Sequence, residues 1–205
     1  MSLFPMFAKL QGRKVIVVGG GEIAASKLDG LLQAGARIVV VSPALNPQVA
    51  SLAKEGKIEW REKEFAPHDL DGAFLVIAAT SVPSVNESVY RAADARGLLC
   101  NAVDDIENCH FYYGAVVQRG DLQIAISTNG KSPSLAQRLR KELEAQFGPE
   151  YESWIEWLGA ARDVLRASGA APAQTKEVLH NLASREGFER FLQEAARKPS
   201  TEGVE

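Results

Sequence analysis

The run Gly19-Gly20-Gly21-Glu22-Ile23-Ala24 fits the spacing G-x-G-x-x-[G/A]. It stands directly after the apolar stretch 15–18 and at the opening of a helical period. In that setting Gly19 permits a sharp turn, Gly21 lets a pyrophosphate approach the backbone, and Ala24 lets helix and strand pack closely. The unpaired N–H groups of the helix start, aided by the helix dipole, bind phosphate oxygens. The spacing therefore predicts a dinucleotide site that turns at Gly19 and receives the pyrophosphate at Gly21. The acid that ordinarily grips the ribose about 20 residues further on is missing, because the second apolar run leads into Ser42-Pro43-Ala44-Leu45. No Lys or Arg follows to neutralise a 2′-phosphate, and Ser42 can only hydrogen-bond a hydroxyl, so NAD is expected rather than NADP. Further on, Asp104 and Asp105 close another apolar run and offer a carboxylate for proton transfer. Ser127-Thr128-Asn129-Gly130-Lys131-Ser132 is rich in donors ahead of Pro133, which suits either a carboxylate-bearing ligand or an ordinary helix-capping loop. Arg119, Lys131 and Arg138 are candidate positive charges for such a ligand. The solitary cysteines and histidines, among them Cys100, Cys109 and His110, lack companions at ligand spacing, and no metal site is assigned.

These residues need a scaffold, and the sequence supplies one. Short β-branched runs at 15–18, 38–42, 58–61, 74–78 and 98–103 alternate with helical periods at 22–33, 47–55 and 83–96. Alternation of this kind builds a Rossmann-like α/β parallel sheet, with ligands outside the carboxyl ends of its strands, so that Asp104 falls on the ligand side. After Asp104 the pattern changes to two strands, 112–118 and 122–127, joined by Arg119-Gly120-Asp121 as a hairpin. A helix then runs from Pro133 to the stop at Gly148-Pro149, and two more are expected at 151–167 and 175–196. The division expected is 1–111 for dinucleotide binding, 112–148 as a small α+β dimerisation region, 149–197 as a helical region and 198–205 as a flexible tail. A two-stranded hairpin is marginal alone, and symmetric pairing of two hairpins, with Ile124 and Ile126 in the contact, predicts a homodimer.

Composition narrows the class. The 205 residues are 46% hydrophobic and 24% charged with a net charge of −3, enough apolar material for a core and too little positive charge for a nucleic-acid surface. The apolar runs fall well short of the ~20 residues that span a bilayer, and the start Met1-Ser2-Leu3-Phe4-Pro5 has no secretory pattern. Two cysteines fit a reducing compartment, so a cytoplasmic protein without a membrane segment is expected.

Several segments occur in order. They are Phe4-Pro5 with Gly12-Arg13, the glycine run with Lys27, Ala34-Gly35-Ala36, Ala78-Ala79-Thr80 followed by Asn86, Asn101-Ala102-Val103-Asp104, and Ile124 through Pro133. Together, over residues 4 to 145, they resemble the precorrin-2 dehydrogenase family of sirohaem biosynthesis, including the sirohaem synthase domain of that activity. The resemblance implies NAD-dependent oxidation of precorrin-2 to sirohydrochlorin by an intertwined homodimer. It sets Gly21, Glu22 and Ile23 in the pyrophosphate loop, Pro43 and Ala44 beside the adenosine, and Thr80, Asn101 and Val103 near the rest of the cofactor. It also makes Asp104 the essential aspartate and turns Ser127–Ser132 toward the acetate and propionate groups of the tetrapyrrole. Fe²⁺ insertion into the product by the same pocket is a second activity found in some relatives, and the sequence leaves it open. His110 departs from the small polar or acidic residue expected there. A rival of another class is a dinucleotide-binding sensor without chemistry, which would need the glycine motif alone.

Overall fold

The computed structural model describes residues 3–197, and the chain divides into two compact units, one ending at Tyr113 and the other beginning at Gly114. The first contains β1 (Lys14–Val18), α1 (Glu22–Gln33), β2 (Arg37–Val41), α2 (Pro47–Lys54), β3 (Glu59–Arg61), β4 (Leu75–Ala78), α3 (Pro83–Asp94) and β5 (Leu99–Ala102). All strand pairs are parallel in the order β3-β2-β1-β4-β5, with Val15 opposite Ile38 on one side and Leu75 on the other. The central strands are apolar on both faces because helices cover both. Val15 and Val17 join Ala24, Leu28 and Leu31 of α1, whereas Ile16 and Val18 join Val89 and Ala93 of α3. Ile16 and Leu28 are completely buried, a contribution of about 1.5–3 kcal/mol for each side chain. The chain reverses direction across the sheet between β1 and β4, which opens a crevice at their carboxyl ends.

The α/β expectation holds, with shorter ends. The strand expected to reach residue 103 stops at Ala102, although the Val103 amide still donates to Ala78 O at 2.9 Å. A 3₁₀ turn at Pro67–Leu70 was not expected; Asp69 fastens it by accepting from the Ala66 amide at 2.9 Å.

In the second unit β6 (Ala115–Arg119) and β7 (Leu122–Ile126) pair antiparallel through a turn with Gly120 at φ +52°. The hairpin begins later than the expected residue 112 because Phe111 packs on the first unit's core and its ring meets that of Tyr113 at 5.7 Å. There follow α4 (Pro133–Gln146), α5 (Glu150–Ala167), α6 (Pro172–Leu182) and α7 (Arg185–Arg197). The single helix expected at 175–196 is two, because Ser184 Oγ accepts the Gly187 amide at 3.1 Å and starts a new helix. Gly187 packs so tightly there that a Cβ would lie 2.2 Å from Leu182 O. Helices α4 and α5 lie against the hairpin. Val117 is fully buried and Ile124 and Ile126 are half-buried on the same side of the strands, while Val116, Gln118, Gln123 and Ala125 are exposed. Ile124 and Ile126 thus share the side of the strands that carries buried Val117. The expected flexible tail, 198–205, lies outside the described residues. Among the described residues no helix is long and apolar enough to cross a membrane.

Candidate functional site

The crevice between β1 and β4 is a cleft of about 910 Å³ contained in the first unit. Its floor is the glycine run. Gly19 has φ +114° and a Cβ there would meet Ala79 O at 2.4 Å, while a Cβ on Gly20 would meet Ala44 O at 2.3 Å. Both are glycines because the backbone after β1 is squeezed between the turns that follow β4 and β2. Gly21 is different: at φ −86° and ψ −166° any residue fits, and a Cβ would meet nothing within 4 Å. The space in front of Gly21 is therefore kept open for something other than packing. Gly21 is also the N-cap of α1 without a side-chain cap, so the amides of the first turn remain available to an anion.

Glu22, Ile23, Ser42, Pro43, Ala44 and Thr80 line the same cleft, together with Glu64, Phe65 and Asn46. Ser42 Oγ donates to Ala44 O at 2.7 Å, which fixes the turn after β2 and leaves the hydroxyl's lone pairs to accept. Trp60 Nε1 donates to Ser42 O at 3.0 Å from the neighbouring strand. Thr80 is held from below by buried Asn86, whose Oδ1 accepts from the Thr80 amide at 3.1 Å and hydroxyl at 2.8 Å, and whose Nδ2 donates to Thr80 O at 3.0 Å. Gly20, Glu64, Phe65 and the latching role of Asn86 were not anticipated. The triple glycine was a signal for the first, but the others are brought in by chain segments distant in sequence.

Asn101, Val103 and Asp104 do not line this cleft. Asn101 is buried and its Nδ2 donates to Phe111 O at 2.8 Å and Cys109 Sγ at 3.3 Å, so its side chain is committed to anchoring the segment after β5. Val103 is half-buried against the α1 side of the core. Asp104 lies beyond β5 on the ligand side of the sheet, at φ +64°, exposed and without a hydrogen bond or ion pair among the described residues. Holding a non-glycine residue there costs on the order of 1 kcal/mol, and such outliers gather at functional sites. Asp105 is occupied locally: its carboxylate takes the Asn108 amide at 3.3 Å and Asn108 Nδ2 at 2.6 Å. His110 is occupied too, with Nδ1 accepting from the Cys100 amide at 3.1 Å, Nε2 at 3.1 Å from Asp94 Oδ1, and its ring stacked on Tyr90. That pattern assigns the ring proton to Nε2. Burial pushes the Cys100 thiol up to about 12 and raises that of Cys109, so neither is a thiolate nucleophile near neutrality.

In the second unit, Ser127 Oγ accepts the Asn129 amide at 3.1 Å, Thr128 Oγ1 the Ser132 amide at 3.1 Å, and Ser132 Oγ the Leu135 amide at 3.2 Å. Asn129 at φ +53° and Gly130 at φ +75° complete a tight turn ahead of α4. Each of these hydroxyls is thus fixed through its acceptor side, and Lys131 is exposed at the tip. Arg119 is not a free charge for a ligand, because its guanidinium donates to Phe147 O at 2.9 Å and Glu144 O at 3.2 Å and caps α4. Arg138 pairs with Glu142 at 3.6 Å. A second groove, about 370 Å³ between α5 and α6, is lined by Trp157, Val164, Val178 and other apolar side chains and offers no reacting group.

An NAD(P)-binding family model matches residues 6–115, and the model of the central region of sirohaem biosynthesis proteins matches residues 119–146. Siroheme synthase 1 of Aeromonas salmonicida is 40% identical over 184 residues, covering 90% of this chain and 39% of that protein. Siroheme synthase 1 of Serratia proteamaculans is 42% identical over 173 residues, covering 82% and 36% respectively. The chain thus spans about two fifths of the length of the curated relatives it matches. Among solved structures, SirC, a precorrin-2 dehydrogenase, superposes with a TM-score of 0.79 at 28% identity over 96% of this chain and 100% of that one.

Proposed function

The chain belongs to the precorrin-2 dehydrogenase family, with an NAD(P)-binding first unit, and we propose that it oxidises precorrin-2 to sirohydrochlorin, NAD when bound accepting the hydride. The observation that carries the reading is the likeness to a precorrin-2 dehydrogenase across both units, since a plain dinucleotide-binding protein would share only the first.

The residues fit the cofactor. The open space at Gly21 and the uncapped start of α1 suit a pyrophosphate, and Glu22 and Ile23 flank it. Ser42, Pro43 and Ala44 take the adenosine side, where no Lys or Arg lines the cleft among the described residues, which supports NAD over NADP. Thr80, held rigid by Asn86, bounds the opposite part, with Asn101 and Val103 shaping the strand end beside it. From β2 to β5 the sheet crosses three strand spacings, roughly 14 Å, so Asp104 stands at the far side from the adenosine, where the reacting ring belongs. Asp104 is the proton acceptor: its carboxylate has no competing partner among the described residues, whereas Asp105 and His110 are engaged elsewhere. Loss of hydride and proton together balances the two-electron oxidation. Ser127, Thr128 and Ser132 retain hydroxyl protons to donate, and with Asn129, Gly130 and Lys131 they bind substrate carboxylates. Two copies of the chain associate through the hairpin, whose β6 and β7 each keep an unpaired edge. The relatives' names are those of enzymes, which gives the sensor alternative no support.

Anaerobic incubation with precorrin-2 and NAD or NADP tests this: stoichiometric NADH and the absorption change of the oxidised macrocycle are expected. No turnover with either nucleotide would overturn it. Addition of Fe²⁺ or Co²⁺ to the product then decides, from the spectrum, whether the chain also inserts metal.

A further inference from the structure

The adenosine side of the cleft has a second wall. Because β3 pairs with β2 in register Val41↔Arg61, the chain leaving β3 runs beside the chain leaving β2, and the Ser42 amide donates to Arg61 O at 3.2 Å. Glu64 and Phe65 therefore line the cleft next to Pro43 and Ala44. Phe65 is half-buried and packs on the core beneath. Glu64 is exposed and has no ion pair among the described residues. The two cations closest to it in sequence are turned elsewhere. Lys63 Nζ lies 3.0 Å from Asp69 Oδ1, a carboxylate only 2% exposed, Arg61 Nε lies 2.8 Å from Glu59 Oε1 with its Nη1 3.6 Å from Asp69 Oδ1, and neither cation lines the cleft.

We infer that Glu64 selects the unphosphorylated dinucleotide by repelling a 2′-phosphate on the adenosine ribose, while buried Asp69 withholds Lys63, and Glu59 and Asp69 together withhold Arg61, from that phosphate. The inference deepens the proposed function and rests on its dinucleotide reading of the cleft. A site ending its second strand in Ser42-Pro43-Ala44 has neither the customary acid nor a base there, so discrimination comes from the connection after β3. A carboxylate about 6 Å from a phosphate dianion in solvent is worth roughly a tenfold difference in affinity, and reversing its charge roughly a hundredfold.

The test is fluorescence titration of the full chain with NADH and NADPH, which needs no substrate. The wild type is expected to bind NADH about tenfold more tightly than NADPH. Glu64→Gln should lower the ratio of NADH to NADPH affinity about tenfold, Glu64→Lys should go further, and about 1 M salt should shrink both differences. Lys63→Met should change neither affinity, because that ammonium is already engaged. An unchanged NADH to NADPH ratio in both Glu64 variants overturns the role of Glu64, and a loss of NADPH affinity in Lys63→Met overturns that of Asp69. In either case the dinucleotide site itself stands. Failure of the wild type to bind either nucleotide overturns the dinucleotide reading and the inference with it.

Discussion

Gly21→Asp separates a glycine kept for a ligand from glycines kept for packing. At φ −86° and ψ −166° the position accepts any side chain, and its Cβ would point into open space. As N-cap of α1, aspartate caps at least as well as glycine, and its charge at the positive end of the helix adds about 0.3–1 kcal/mol. The variant should therefore unfold within a few degrees of the wild type, or slightly above it, since 1 kcal/mol moves Tm by about 2–8 °C. Binding should collapse. A carboxylate about 4 Å from each of two pyrophosphate charges costs about 1 kcal/mol per pair in water and about 4 kcal/mol per pair at the lower effective dielectric near a protein surface. The loss of NADH affinity should thus exceed about a hundredfold. Gly19→Ala makes the contrasting case: φ +114° and a Cβ 2.4 Å from Ala79 O predict a loss of stability on the order of 2–4 kcal/mol, with binding lost as a consequence. Circular dichroism melts and NADH fluorescence titrations on both variants decide the matter. A Gly21→Asp protein that melts far below the wild type, or that binds NADH normally, would refute the argument.

Asp104→Ala should leave the melt and NADH affinity nearly unchanged and slow precorrin-2 oxidation by roughly 10²–10⁴-fold; turnover close to normal would remove this carboxylate from the mechanism. Val116→Asp places a charge on the exposed face of the hairpin without touching the unit's own core, so light scattering should show a dimer becoming a monomer with its fold retained, and a wild-type monomer would reject the hairpin pairing. Burial pushes the Asp69 carboxyl up, but the Ala66 amide, the Lys63 ammonium and His68 outweigh it and hold the group below the usual range. A depressed folded-state value contributes stability that is fully present above the unfolded value of about 3.9 and is lost as pH falls through the folded one. Acid melts of Asp69→Asn should accordingly lose part of their steepness below about pH 4; equal acid sensitivity in both proteins would contradict this.

Much of the site was legible in the sequence because its determinants are local. A turn that admits only glycine at Gly19, a helix start free of side chains at Gly21 and a four-residue apolar strand before them are consecutive, and their spacing alone implies the phosphate cradle. The donor-rich turn before Pro133 was legible in the same way, and the two described non-glycine residues with positive φ, Asp104 and Asn129, both fall in segments singled out for chemistry. The rest was not legible where a residue's partner is remote in sequence. Arg119 reads as a spare cation until α4 returns its carbonyl ends to it, and nothing in the spacing around Asn101 announces that its amide anchors the segment at Phe111. The half-burial of Ile124 and Ile126 is likewise set by α4 and α5, which follow the hairpin in the chain and pack on it.

The sequence by itself determined the parallel sheet, the glycine turn at the end of β1 and the positions of the carboxylate and hydroxyl clusters, since periodicity and glycine chemistry act over a few neighbouring residues. Only the tertiary structure decided which charges face the cleft. Glu64 lines it and Lys63 does not because β3 pairs beside β2 and because a buried carboxylate, Asp69, binds Lys63 and, with Glu59, Arg61, and neither the register nor that burial is written in the spacing of Arg61, Lys63 and Glu64.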